Sequence, residues 1–314
     1  MKQSRAFFSK SVWVFLTLLT GCILSGFSSG LSVLAEEASE IVVTDMADRE
    51  IELNGPAERI VVLQPSNAEI LFAIESGDII VGRGEYVDYP FEEVKDIPQV
   101  STGESINIEE IIALNPDVVI MTTMSQTENQ INQIEAAGIK VVATDASNIE
   151  EVYESIDLIG AVVGHKEQAE QLIADMEETF ADYSQQADEA GEEGQSIYFE
   201  ISPLEYGIWT GGQSTFMNEI AEMLNLENIF ADVEGWGEVS EEQVLERNPD
   251  YIITSTMPID GFKPVEEILG RDGWDTVSAV KNEHVFLANS DEFTRPSPRL
   301  TDAIKTLYDI VYGD

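Results

Sequence analysis

One passage occurs twice in this chain. Residues 106–124 read INIEEIIALNPDVVIMTTM and residues 239–257 read VSEEQVLERNPDYIITSTM. With Asn115 set on Asn248, Asn-Pro-Asp falls on Asn-Pro-Asp, Ile120 on Ile253, Thr123 on Thr256 and Met124 on Met257. Each copy begins with apolar residues at helical spacing, Ile108, Ile111, Ile112 and Leu114 in one and Val244 and Leu245 in the other. Each helix stops at a proline, which lacks a backbone donor and disfavours helix in the residue before it. A short apolar, mostly β-branched run follows at once, residues 118–121 or 251–253, as in parallel strands covered on both faces. A helix-to-strand unit present twice predicts two α/β halves.

Between the copies the period is 3.6 residues. Apolar positions Ile149, Val152, Ile156, Ile159 and Val163, then Ala169, Leu172, Ile173, Met176, Phe180 and Tyr183, predict helix, with breaks at Gly160 and Gly164. One long helix over 165–188 is expected, roughly 35 Å at 1.5 Å per residue, ended by the loop at 191–194. The fold class expected is therefore α/β: two Rossmann-like α/β lobes joined by one long rigid helix, with a ligand cleft between the lobes. The boundaries read as an N-terminal lobe over 41–147, a helical connector over 148–190 and a C-terminal lobe over 191–314. Ligands of open α/β sheets sit outside the carboxyl ends of the strands, so the loops there are the place to look.

The amino terminus predicts export. Lys2, Arg5 and Lys10 precede an apolar run over 11–19, and Leu19-Thr20-Gly21-Cys22 follows. A basic head, an apolar stretch of this length and small residues at 20 and 21 are what export and signal cleavage require. Residues 1–21 thus read as a signal peptide and 22–40 as a tether, with Cys22, the sole cysteine, as a lipidation site. Two alternatives also place the folded part outside the cytoplasm: ordinary cleavage after Ala35, giving a secreted protein, or an uncut anchor over 11–27.

The chain has 60 acidic and 16 basic side chains, a net charge of −44. The first 21 residues hold three of the bases and no acid, so the exported part is more acidic still. Such a chain repels nucleic acid and disfavours a polyanionic ligand unless its bases are gathered at one place. With one cysteine there is no disulfide framework, so the lobes must be held by their own cores.

No catalytic or metal constellation is picked out. His165 and His284, the two histidines, stand in no metal or triad spacing, and nucleophile elbow, phosphate loop and zinc helix are all missing from the sequence. An exported glycoside hydrolase working through two carboxylates stays open as a rival class, although nothing marks the pair. The loops instead carry large amphipathic residues. Arg83 and Tyr86 precede Val87-Asp88-Tyr89-Pro90, Tyr206 and Trp209 lie near 201–209, Trp236 stands between two glycines, and Phe262, Phe293 and Arg295 come later. Rings on loops offer broad stacking surface at low entropy cost, which suits a large, flat, partly apolar ligand. Arg83, Tyr86, Trp209, Trp236, Phe262, Phe293 and Arg295 are the expected ligand contacts, whereas Trp274 and Phe286 are expected to pack in the lobe.

These residues also resemble a known family, the substrate-binding lipoproteins of ABC importers for cobalamin, ferric siderophores and haem. The resemblance spans about residues 41–312 and rests on Arg59-Ile60-Val61-Val62-Leu63, Asn67-Ala68-Glu69-Ile70-Leu71, Tyr86-Val87-Asp88-Tyr89-Pro90, the two Asn-Pro-Asp strands, Trp236-Gly237-Glu238-Val239-Ser240 and Arg295-Pro296-Ser297-Pro298-Arg299-Leu300. It implies a monomeric, lipid-anchored binding protein with limited hinge closure, no cofactor and no chemistry on its ligand, partnered by an ABC permease and its ATPase. Glu69 and Glu219 each stand near a helix start, where an acid favours the helix dipole; the resemblance implies that they dock on permease arginines. Among ligands, the loops resemble the cobalamin branch most. The few cleft bases, Arg83, Arg295 and Lys263, are too sparse for a trianionic catecholate complex. A ferric hydroxamate is the alternative, and haem is another through Met124, Met257 or Tyr86.

Overall fold

The computed structural model describes residues 40–102, 106–123, 128–191, 194–258 and 261–313. The chain begins with an antiparallel hairpin, β1 (Ile41–Thr44) and β2 (Glu50–Leu53). It continues as β3 (Ile60–Val62), α1 (Pro65–Ala73), β4 (Ile80–Gly84), α2 (Phe91–Val94), β5 (Gln99–Val100), α3 (Ile108–Ala113), β6 (Val118–Thr122), α4 (Glu128–Ala136) and β7 (Lys140–Thr144). Two helices cross to the second half, α5 (Ile149–Val163) and α6 (Lys166–Ala190). There follow β8 (Ser196–Glu200), β9 (Ile208–Gly211), α7 (Phe216–Met223), β10 (Glu227–Asn228), β11 (Trp236–Val239), α8 (Glu241–Arg247), β12 (Tyr251–Thr254), α9 (Pro264–Leu269), α10 (Ser278–Lys281), β13 (Val285–Leu287), α11 (Ser290–Thr294) and α12 (Leu300–Tyr312).

Each half is built on a parallel sheet. The first has the order β5-β4-β3-β6-β7 and the second β10-β8-β12-β13, so β4, β3, β6 and β7 correspond to β10, β8, β12 and β13. The repeat thus places β6 and β12 at equivalent positions beside β3 and β8. Side chains alternate between the sheet faces: Val61, Val119 and Val141 enter one core, while Ile60, Val62, Val118, Ile120 and Val142 enter another. In the second sheet Tyr198, Ile252 and Val285 separate in the same way from Ile197, Phe199, Tyr251 and Ile253. Covering on both faces is why these strands read as unbroken apolar runs.

The Asn-Pro-Asp motif does the same structural work twice. Asn115 and Asn248 adopt the left-handed conformation, φ 48° and 47°, which asparagine tolerates better than most side chains and which turns the chain out of its helix. Proline keeps the helix from resuming. The aspartate then ties down the start of the neighbouring strand. Asp117 accepts the backbone N–H groups of Glu58 and Arg59, both at 3.0 Å, ahead of β3. Asp250 accepts Ser196 N–H at 3.0 Å and the Ser196 hydroxyl at 2.7 Å at the head of β8.

The connector is a helix pair. Asn148 and Glu151 form a capping box at the start of α5, and Gly164 ends it at φ 76°. Gly160 was expected to break the helix, but it stays helical. A Cβ there would lie 2.5 Å from the Ala169 Cβ, so its missing side chain lets α6 approach α5. The predicted long helix is α6, whose 25 residues span about 38 Å at 1.5 Å per residue. Its buried positions Ala169, Met176, Phe180 and Ala187 form one stripe, and α12 packs along it through Leu300, Ala303, Ile304 and Leu307. The largest core therefore runs from the first sheet through α5, α6 and α12 to the second. Of the two motif aspartates, Asp250 holds the more buried partners. Asp250→Ala should lower stability in urea unfolding by about 1–3 kcal/mol, and Asp117→Ala by less, because its exposed amides can turn to water.

Candidate functional site

In both sheets the crossover direction reverses between two neighbouring strands, β3 and β6 in one half and β8 and β12 in the other. The crevice outside the carboxyl ends at such a reversal is where open α/β sheets hold ligands. The loops that issue there carry side chains which folding would bury if it could. After β4 come Tyr86, 70% exposed, with Tyr89 and Phe91; after β8 comes Tyr206, 75% exposed, beside Trp209 on β9 at 39%; after β12 comes Met257. A concentration of exposed rings on one set of loops marks a binding surface. On the C-terminal lobe the same loops enclose a cavity of 610 Å³ lined by Ile201, Ser202, Pro203, Tyr206, Ser255, Thr256, Met257 and Phe262, among others. A second, of 310 Å³, shares Ser255, Thr256, Met257 and Ser290 with it.

The expected ligand contacts divide. Tyr86 and Trp209 are exposed, and Phe262 lines the larger cavity. Arg83 is turned inward. Its Nε donates to Val94 O at 2.9 Å and its Nη1 to Val87 O at 2.8 Å, so it braces the tyrosine loop. The Trp236 ring, expected to stand uncovered between its glycines, packs on Phe216 with centroids 5.1 Å apart and remains half-buried. Phe293 is a correction. It is 1% exposed and packs toward Phe199 in the main core, because the α11 turn directs it inward. Trp274 is fully buried, as expected. His165 Nδ1 sits 2.8 Å from both Ser76 Oγ and Ile74 O, and His284 stacks on Tyr251 at 4.6 Å, so both histidines hold structure. Among the described residues no group of three or more His, Cys, Asp or Glu could hold a metal. Cys22 and Met124 lie outside the described residues.

Glu69 and Glu219 are the larger correction. Glu69 is 4% exposed and sealed beneath arginines of the other lobe. Arg299 donates through Nε to Oε2 at 2.9 Å and through Nη2 to Oε1 at 2.6 Å, and Arg295 Nη1 donates to Oε1 at 3.0 Å. Arg295 also meets Asp88 of the tyrosine loop at 3.0 Å and Asp291 at 2.8 Å. Burial disfavours the Arg299 cation, but the Glu69 hydrogen bonds and charge outweigh it and raise its pKa. Glu219 caps α5 instead, its Oε2 accepting Ile149 N–H at 2.7 Å. Burial raises its pKa, the Ile149 bond lowers it, and Glu222 and Glu151 raise it further. Neither acid is a free surface charge.

The repeat offers a different pair of acids, one on each lobe. In the superposition on Asn115 and Asn248, Glu109 falls on Glu242, and both are exposed in the first turns of α3 and α8. Their neighbours are occupied: Glu110 accepts Ser101 N–H and Glu241 accepts Trp274 Nε1–H, each at 2.9 Å. The signal was in the duplicated passage itself.

Two α/β lobes, a fused connector and exposed rings on the loops after the strands are the architecture of a two-lobed binding protein. The family model described as Periplasmic binding protein matches residues 60–292, and the chain belongs to that family. It is 33% identical to the uncharacterized ABC transporter substrate-binding lipoprotein YvrC of Bacillus subtilis, over 96% of this chain and 97% of that one. It is 34% identical to the vitamin B12-binding protein of Salmonella typhimurium, over 80% of this chain and 89% of that one. Among solved structures, one described as a possible iron-binding (periplasmic solute-binding) protein from Staphylococcus epidermidis superposes with a TM-score of 0.72 at 31% identity, covering 82% of this chain and 99% of that one.

Proposed function

We propose that the cleft captures a corrinoid such as cobalamin, and that the protein holds this ligand without altering it. The protein is the extracytoplasmic substrate-binding component of an ABC importer and hands its ligand to a permease driven by an ATPase. The observation that carries the corrinoid reading is the set of exposed rings on both lobes, Tyr86 and Tyr89 against Tyr206 and Trp209, around the two sheet reversals. A corrinoid is broad, near neutral and partly apolar, and it gains from stacking more than from charge. Support comes also from the vitamin B12-binding relatives, similar over most of the folded part. A ferric hydroxamate shares the ligand's size and low charge, and the iron-binding description of a structural relative favours it as the second reading.

Attachment through lipid at Cys22 fits the relative described as a lipoprotein. No helix among the described residues is long and apolar enough to cross a membrane. The protein works as a monomer, and Glu109 and Glu242 meet the permease. Two exposed acids at repeat-equivalent places can orient the two lobes on a two-part partner, since charge pairs fix register more than they add affinity.

Thermal unfolding with cyanocobalamin, haem or a ferric hydroxamate should show stabilisation that grows with cyanocobalamin, about 2.7 kcal/mol at a hundred times Kd. Trp209→Ala should weaken that binding about tenfold or more. No shift with any of the three, beside turnover of a sugar polymer, would identify the hydrolase instead. In cells, Glu109→Lys with Glu242→Lys should abolish uptake and leave ligand affinity intact; undiminished uptake would clear both residues of a docking role.

A further inference from the structure

Where the tyrosine loop meets the C-terminal lobe, three carboxylates hold two guanidiniums. Glu69 takes both arginines, Asp88 meets Arg295 Nη1 and Asp291 meets Arg295 Nη2, and Asp291 lies 3.4 Å from Arg299. The Arg299 guanidinium also lies over the Tyr89 ring, 4.3 Å from its centroid. Asp291 lines the smaller cavity and Asp88 belongs to the tyrosine loop, so the cluster borders the candidate site at both of these points. Its formal charge is one negative.

We propose that Glu69, with Asp88 and Asp291, cancels the charge of Arg295 and Arg299 at the border of the candidate site, and thereby restricts the site to neutral or cationic ligands and excludes multiply charged anions. The inference rests on the binding role proposed above and deepens it by naming the ligand's charge class. Two arginines four residues apart could by themselves form an anion site, but the protein's own carboxylates already occupy them. A trianionic complex would have to displace them or approach a net negative cluster on an acidic protein. Repulsion of this kind separates ligands of similar size more sharply than added attraction does. Glu69 acts through the arginines and is a positioning residue.

The test compares cyanocobalamin and a neutral ferric hydroxamate with a ferric tris-catecholate trianion of similar size, measured by tryptophan fluorescence titration. The wild type should bind at least one neutral probe about tenfold or more tighter than the trianion. Glu69→Gln should shift the ratio of trianion to neutral affinity by about tenfold toward the trianion. Asp88→Asn, whose side chain is 60% exposed and safe for the fold, should shift it the same way by less. Binding of the hydroxamate without cobalamin would sink the corrinoid reading and leave this one standing. A wild type that takes the trianion as well as a neutral probe, a wild type that binds neither neutral probe, or Asp88→Asn and folded Glu69→Gln proteins with unchanged ratios would each overturn it.

Discussion

The joint between the lobes is a carboxylate buried under two arginines. Glu69 rides on the first helix of the N-terminal lobe, and Arg295 and Arg299 bracket the turn into the last helix of the chain. Such a pair adds little net stability, since desolvation of the charges offsets their attraction, yet losing one partner costs about 3–5 kcal/mol. It therefore fixes geometry more than it stabilises. Because Asp88 reaches Arg295 from the same side, the joint also sets the loop that carries Tyr86 and Tyr89. The cleft wall of one lobe is thus anchored on the other.

The apolar core does the rest of the holding. It passes through α5 and α6 into α12 without a break, and the Gly160 contact brings the connector helices close together. A connector that shares one continuous core with both lobes resists bending between them. The duplicated half-molecules differ in the rings that they present. The C-terminal lobe adds the β9–β11 ribbon, which presents Trp209, and the N-terminal lobe adds the tyrosine loop braced by Arg83.

Much of this was legible in the residues. The Asn-Pro-Asp copies announced their turn, strand and capping chemistry, and the 3.6-residue stripe announced α6, because both depend on neighbours in sequence. What failed depended on distant partners. Glu69 meets arginines 226 and 230 residues away, and no local pattern reveals that a helix-start acid is buried there. Phe293 and Trp236 looked like exposed loop rings for the same reason: Phe199 and Phe216, which cover them, lie on other elements. Glu109 and Glu242 show the converse. Their equivalence stands in the repeat, but only the structure shows that Glu110 and Glu241 are occupied and leave their neighbours free.

A crystal structure of the protein with cyanocobalamin bears on all of this at once. The corrin should lie between the Tyr86 loop and the Tyr206–Trp209 side, with Glu69 still accepting from Arg299 and the lobes nearly unmoved. A corrinoid seated away from these loops, or lobes reoriented with Glu69 released from its arginines, would contradict the account.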